Sequence, residues 1–432
     1  MDNASPTSSR KRIILAGLMG NVMEWYDFAV YGYFAGIIGR QFFPSDNPAV
    51  SLITAFGAFA AGFLVRPLGG LLFGRIGDLI GRTRALTLSV ITMAVPTVLI
   101  GLLPTHAQIG MAAPVLLVVF RMIQGLSVGG EYTSSLVFLV ENSPHNRRAF
   151  SAIWGVWGAG AGILLGSGVG ALLTNGLDEA QVVSWGWRLP FILGALVAGT
   201  GYVVRRSIHT ERPVGATKSP VFDSFGKYRS SVMRVALLNV GYGISFYAVF
   251  VYAVTYIKEI DHLPEGVAFN LNTLSMALLL LFLPMGAWLS DRIGRKPILI
   301  AAGTLLTFGA IPLFHLIHTT HPITIFLGEL GFALIIGMLA GGIVAANVEL
   351  IPAPVRCTGL AFAYNLSIGI FGGTTPLMAA WLISTTGNPI MPAYWIVMGG
   401  AVTLLTSIFL IRETGFITLD SFEHSPKNPG YS

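Results

Sequence analysis

Gly74–Arg84 reads GRIGDLIGRTR, and Leu289–Pro297 reads LSDRIGRKP. Both place an aspartate three residues ahead of Gly-Arg: Asp78, Gly81 and Arg82 in the first, Asp291, Gly294 and Arg295 in the second, at an offset of 213. A second pair lies nearby. VENSPHNRR (Val140–Arg148) and VELIPAPVR (Val348–Arg356) share Val-Glu-x-x-Pro-x-x-x-Arg at an offset of 208. Two patterns at almost one offset mark an internal duplication.

The sequence between these motifs is apolar. Of 432 residues, 53% are hydrophobic and 11% charged, against roughly 25% charged in soluble domains. Mean hydropathy is +0.71. Runs of about 20 apolar residues read as membrane-spanning helices, and twelve are predicted: 13–40, 51–74, 85–104, 112–140, 150–174, 186–204, 235–257, 270–290, 298–318, 324–350, 358–382 and 392–412. The duplicated motifs follow spans 2 and 8, and spans 4 and 10, so the repeat relates spans 1–6 to spans 7–12. The expected organisation is a polar N-terminal tail (1–12), a six-helix half (13–204), a central polar loop (205–234), a second six-helix half (235–412) and a C-terminal tail (413–432).

Charge placement sets an expected orientation. With the N-terminus in the cytoplasm, 21 of the 26 Lys and Arg fall on the cytoplasmic side and only Arg40, Lys258 and Arg188 fall outside. Such asymmetry is the positive-inside pattern. It accounts for the net charge of +6 through an anionic inner leaflet rather than nucleic acid. Cys357 is the only cysteine, which excludes an internal disulfide and a cysteine-built metal site. No cofactor and no metal are expected, and His315, His318 and His321 read as loop residues. The chain holds no His-Glu-x-x-His, Gly-x-Ser-x-Gly or Walker sequence, which argues against an enzyme and against ATP drive.

The Gly-x-x-x-Asp-x-x-Gly-Arg loop and its repeat resemble the signature of the major facilitator superfamily. GNVMEWYDFAVYGY (20–33), RPLGGLLFGRIGD, RMIQGLSVGGEYTS, WGWRLPF and IPAPVRCTGLAFAYNLSIGIFGGTTP are similar to the metabolite:proton symporters within it, and EWYDFAVYGY, GGEYT and MPAYW to proline/betaine permeases. The resemblance implies an all-α membrane protein of twelve helices in two pseudo-symmetric halves. It also implies proton-coupled solute uptake by alternating access, in a monomer of the bacterial cytoplasmic membrane with both termini inside. The expected solute is a carboxylate-bearing zwitterion such as proline or glycine betaine. An organic acid such as 2-oxoglutarate, citrate or shikimate is the alternative, and a non-transporting membrane sensor a distant one.

Polar residues inside the spans narrow the site. A charge at the bilayer centre costs roughly 2.5–3.5 kcal/mol on insertion scales, so such residues find partners inside the protein. Asp27 lies roughly 22 Å into span 1 from the basic end and Arg121 roughly 14 Å into span 4 from the other, at 1.5 Å per residue. Their depths coincide, so an Asp27–Arg121 ion pair is expected, as in related proton-coupled carriers. Glu24 lies one turn away on the same helix face. Asp27 is the expected proton carrier, with Glu24 as the alternative. Arg121, Gln124, Tyr31, Arg66, Tyr247, Tyr364 and Asn365 are expected to contact the solute, the aromatics suiting a quaternary ammonium. Arg66 is also placed to pair with an acid of span 1 or 4. In the repeat loops, Asp78, Arg82, Glu141, Arg148, Asp291, Arg295, Glu349 and Arg356 are expected to form a cytoplasmic gate, with Glu141 facing Arg148 and Glu349 facing Arg356.

Overall fold

The computed structural model describes residues 21–70, 72, 82–127, 131–141, 143–205 and 226–417. All described regular structure is helical. Eight helices are long and apolar enough to cross a bilayer by length and composition. They are Pro48–Gly70 (span 2), His145–Gly176 (span 5), Arg229–Glu259 (span 7), Glu265–Ile293 (span 8), Arg295–Ile317 (span 9), Pro322–Glu349 (span 10), Ala353–Thr386 (span 11) and Met391–Leu410 (span 12). Span 1 covers residues 21–33 and Ala35–Phe42, span 3 Arg82–Leu102, and span 6 Leu189–Arg205. Span 4 is built of Ala112–Ser127 and Glu131–Glu141. The helices correspond to the twelve predicted passes. Several run past the apolar limits, span 7 starting at Arg229 rather than 235, because polar first turns continue a helix beyond the hydrocarbon.

Large apolar side chains cover the outside: Leu172, Phe308, Ile323 and Phe409 are each more than 70% exposed. In a chain of this hydropathy such a surface faces lipid. Span 7 is the exception, with 94% of its apolar window buried against 39–56% for the other seven. It therefore runs through the middle of the bundle. The halves meet where span 5 packs on span 8, span 2 on span 11, and span 4 on spans 10 and 11.

Within the halves, small residues set the helix approach. Span 2 crosses span 4 at Gly62 and Gly125, and the corresponding helices of the second half, spans 8 and 10, cross at Gly286 and Gly341. A Cβ on Gly125 would lie 1.8 Å from the Gly62 carbonyl oxygen. Close backbone contact of this kind drives helix association where lipid is as apolar as the side chains. Spans 7 and 11 each contain a π-helical turn, Ala248–Tyr252 and Ile368–Gly372. Both face span 2, with Gly369 and Gly373 against Phe63. Such turns widen a helix locally and concentrate at functional sites.

Gly125→Val is expected to lose folded yield in detergent, since overpacking costs about 1–3 kcal/mol even where a neighbour can yield and here the neighbour is backbone. Gly57→Val, which meets no atom within 4 Å, is the matched control; size-exclusion profiles compare the two.

Candidate functional site

Span 1 carries Glu24 and Asp27 on one face, and each acid takes its own arginine. Arg121 Nη1 donates to Asp27 Oδ2 at 3.0 Å and to Gln124 Oε1 at 2.7 Å. Gln124 Nε2 donates in turn to Thr97 Oγ1 at 2.8 Å, so span 3 fixes the amide that steadies the guanidinium. The Arg121 guanidinium lies 4.6 Å from the Phe28 ring centroid and 4.4 Å from that of Tyr31. Arg66 Nη2 donates to Glu24 Oε1, and its guanidinium lies 5.0 Å from the Phe63 ring and 5.7 Å from Trp25. All four charged groups are buried. The predicted Asp27–Arg121 pair is present, and of the two roles open to Arg66 the structure displays the ion pair.

The pairs are incompletely satisfied. Nε and Nη2 of Arg121, Nε and Nη1 of Arg66, and Asp27 Oδ1 have no hydrogen-bond partner among the described residues. A buried donor left unpaired costs about 1–3 kcal/mol, more when charged. Four spare guanidinium donors in a low-dielectric interior are what a carboxylate ligand requires.

An aromatic wall lies beside the arginines. Trp25 sits 6.4 Å from Tyr132, 6.3 Å from Phe246 and 6.2 Å from Tyr247, and Tyr132 sits 4.8 Å from Tyr364. Spans 1, 4, 7 and 11 thus each contribute a ring. Tyr247 and Tyr364 are among the predicted residues; Trp25, Tyr132 and Thr97 are not. The signal for Trp25 was its place between Glu24 and Asp27. Tyr31 stacks under Arg121 while its hydroxyl donates to Ala55 O at 3.0 Å. Asn365 donates to Ala361 O at 2.9 Å.

At the basic end the repeat motifs pair crosswise. Arg356 Nη1 meets Glu141 Oε1 at 2.6 Å and Arg148 Nη1 meets Glu349 Oε1 at 3.5 Å. The expected partners within each loop, Glu141–Arg148 and Glu349–Arg356, are replaced by pairs between the halves. Arg295 reaches Glu349 Oε1 at 3.1 Å and Asp291 Oδ1 at 2.8 Å. Asp291 also accepts from the backbone N–H groups of Ala149 (3.1 Å) and Phe150 (2.8 Å). It thus seats on the N-terminal amides of span 5, where a helix favours negative charge. Asp78 and the side chain of Arg82 lie outside the described residues.

The opposite end is also joined. Tyr33 Oη donates to Phe250 O at 2.8 Å, Arg40 pairs with Glu259 at 3.3 Å, and Asn175 donates to Asn270 at 3.0 Å. Among the described residues the halves are therefore tied together at both ends, with the arginine pairs buried between.

The profile of the Major Facilitator Superfamily matches residues 17–364. The chain belongs to the major facilitator superfamily. It is 35% identical over 420 residues to the glycine betaine/proline/ectoine/pipecolic acid transporter OusA of Dickeya dadantii, covering 94% of this chain and 83% of that one. It is 34% identical to the proline/betaine transporter of Escherichia coli K12, covering 94% and 84%. A putative proline/betaine transporter of Staphylococcus aureus N315 is also 34% identical, covering 95% and 90%. Among solved structures, a D-xylose-proton symporter superposes with a TM-score of 0.75 at 19% identity over 95% of this chain and 100% of that one. The fucose:proton symporter of E. coli does so with 0.62 at 17% over 93% and 99%. This major facilitator protein is a multi-pass membrane transporter of small solutes and not an enzyme.

The residues of these crosswise pairs differ in the weight they carry. The Glu349 side chain is 1% exposed and holds two arginines, whereas that of Glu141 is 42% exposed. Glu349→Ala is expected to destabilise the protein by about 3–5 kcal/mol, the cost of stranding a buried cation. Glu141→Ala is expected to cost less, because it deprives one guanidinium rather than two and Arg356 keeps its bond to Ile351 O. Reversible unfolding in mixed detergent micelles measures both.

Proposed function

We propose that this transporter is a proton:solute symporter that carries a small zwitterion, proline or glycine betaine in type, into a bacterial cell across the cytoplasmic membrane. The observation that carries the reading is the Asp27–Arg121 pair with its unused donors. A proton arriving at Asp27 neutralises it and frees Arg121 to hold the solute carboxylate through its remaining N–H groups. Arg66, with Glu24 as its counter-ion and alternative proton carrier, adds spare donors. The aromatic wall of Trp25, Tyr132, Phe246, Tyr247 and Tyr364 receives the ammonium group, which is attracted to ring faces by about 0.5–2 kcal/mol. Gln124 and Asn365 supply polar contacts, and Tyr31 supports Arg121 from below.

The charge count favours a zwitterion over a di- or tricarboxylic acid. Two arginines are already matched by two carboxylates. A dicarboxylate would have to displace both acids, whereas a zwitterion needs one guanidinium released. The names of the relatives point the same way.

In the proposed cycle the halves, 13–204 and 235–412, rock about the enclosed site as units joined by the loop 205–234. The basic end is cytoplasmic, with both tails, 1–12 and 413–432, on that side. The crosswise pairs of Glu141, Arg148, Asp291, Arg295, Glu349 and Arg356 hold the cytoplasmic end closed and part when it opens; Asp78 and Arg82 are assigned to the same gate from their motif. The working unit is a monomer. One charge moved through 100 mV supplies about 2.3 kcal/mol, enough for roughly fifty-fold accumulation.

Asp27→Asn is expected to abolish accumulation driven by a proton gradient in proteoliposomes while solute exchange continues; undiminished accumulation against a gradient would refute the assignment. Trp25→Ala is expected to raise KM for glycine betaine by about tenfold, one to two kcal/mol of lost cation–π contact, with Trp25→Phe recovering part of it in a competition assay.

A further inference from the structure

Glu329 has no role in the mechanism above. It lies in span 10, about 10 Å from the start of the helix at 1.5 Å per residue, and is fully buried. Ser275 Oγ donates to its Oε2 at 2.7 Å. Its Oε1 has no partner, and no cationic side chain pairs with it among the described residues. An ionised carboxylate with one neutral donor in hydrocarbon surroundings is costly, and such groups shed their charge.

The neighbouring network shows the same shortage of donors. Ser275 is one turn from Asn272 on span 8. Asn272 Nδ2 donates to Tyr33 Oη and to Ser167 Oγ, each at 3.0 Å. Tyr33 gives its hydrogen to Phe250 O, and Ser167 shares one with Thr273 at 2.7 Å. Asn272 Oδ1, like Glu329 Oε1, is a buried acceptor with no donor among the described residues. Two buried acceptors, one on span 8 and one bonded to span 8 a turn away, are short of hydrogens, and one added proton supplies the carboxylate.

Other titratable groups on the packed helices are engaged elsewhere. Tyr33, on span 1, lies within electrostatic reach of Glu329. On span 9 His315 is exposed and His318 meets Asp261 at 2.6 Å, while Leu313 and Ile317 line the contact at Gly328. On span 7 Tyr252 packs on Phe56, Tyr256 donates to Pro389 O, and Lys258 pairs with Glu265.

We infer that Glu329 is a second proton-binding site, and that its protonated form holds the two halves together at the end opposite the basic loops. The bonds of Tyr33, Asn272 and Ser167 join spans 1 and 5 of the first half to spans 7 and 8 of the second, so they exist only while that end is closed, and Ser275, one turn from Asn272, ties Glu329 of span 10 to the same helix. Opening the end admits water, which solvates the carboxylate and takes the proton. The proton moves between bulk water and Glu329, and no other bond is made or broken.

The test is a spin-label distance across that end, between Ala180→Cys and Thr320→Cys, both exposed, on a Cys357→Ser background in nanodiscs. The unsubstituted site is expected to give a short distance at low pH and a growing long-distance population as pH rises. Glu329→Gln, a neutral mimic, is expected to keep the short distance at every pH. Ser275→Ala, which removes the one donor to the carboxylate, is expected to move the midpoint of the response up by about one pH unit, and it serves if Glu329→Gln fails to fold. Asp27→Asn is expected to keep the response. A response lost in Asp27→Asn and retained in Glu329→Gln overturns the inference while leaving the coupling role of Asp27 standing. Absence of any pH response, or an unmoved midpoint in Ser275→Ala, overturns it as well.

Discussion

A guanidinium buried among helices needs a counter-anion, and the core of this protein is arranged around that need at Arg121. Asp27 meets it from span 1, Gln124 braces it from the same helix, and Thr97 braces Gln124 from span 3. Phe28 and Tyr31 close over the planar face. The backbone follows the same demand. Span 4 brings Arg121 inward only because Gly125 lets it approach span 2 at Gly62, the helix that also delivers Arg66 to Glu24. Removing either anion without replacing it would leave a bare cation in a medium that solvates it poorly. A solute that brings its own carboxylate is a replacement of the right chemistry.

The basic end applies the same physics to a different purpose. There the anions of one half answer cations and helix amides of the other: Glu141 to Arg356, Glu349 to Arg148, and Asp291 to the start of span 5. A pair inside one half would be indifferent to rocking. A pair between halves is made in one state and broken in the other, so its free energy enters the conformational equilibrium directly. Glu349 also serves Arg295 of its own half, and Thr414 donates to it at 2.5 Å, so the carboxylate keeps partners when Arg148 departs.

Much of this was legible in the sequence. Hydropathy and the two repeated loops gave twelve helices in two sixes, and depth counting along spans 1 and 4 matched Asp27 to Arg121. The gate pairing was not legible, for a physical reason. Duplication gives each loop the same Glu and the same Arg, so pairing within a loop and pairing between loops look identical until the halves are placed face to face. The aromatic wall was half legible. Tyr247 and Tyr364 stand out in spans 7 and 11, but an aromatic stripe is ordinary packing until rings from four spans converge. Thr97 gave no signal, because a threonine in an apolar helix satisfies its own hydroxyl, here on Met93 O at 2.8 Å.

The exchange of anions at Arg121 also explains why proton and solute would have to travel together. Empty, the site holds Asp27 against Arg121 and is neutral. In the proposed cycle, loading with a proton and a zwitterion leaves Asp27 uncharged, places the solute carboxylate on Arg121 and makes the ammonium the one net charge. With the proton alone, Arg121 has no anion. With the solute alone, two carboxylates compete for one guanidinium. The proton-only form buries a guanidinium with no anion, at several kcal/mol; the solute-only form, neutral in sum, crowds two carboxylates against one guanidinium, and on the proposed cycle neither closes over the site. In the fully loaded form the surplus positive charge rests on ring faces of Trp25 and its neighbours, the one surface in an apolar interior that attracts a cation without carrying a charge. On the proposed cycle the aromatic wall serves coupling as well as recognition, since it would permit the loaded site to be occluded while positively charged and driven inward by the membrane potential.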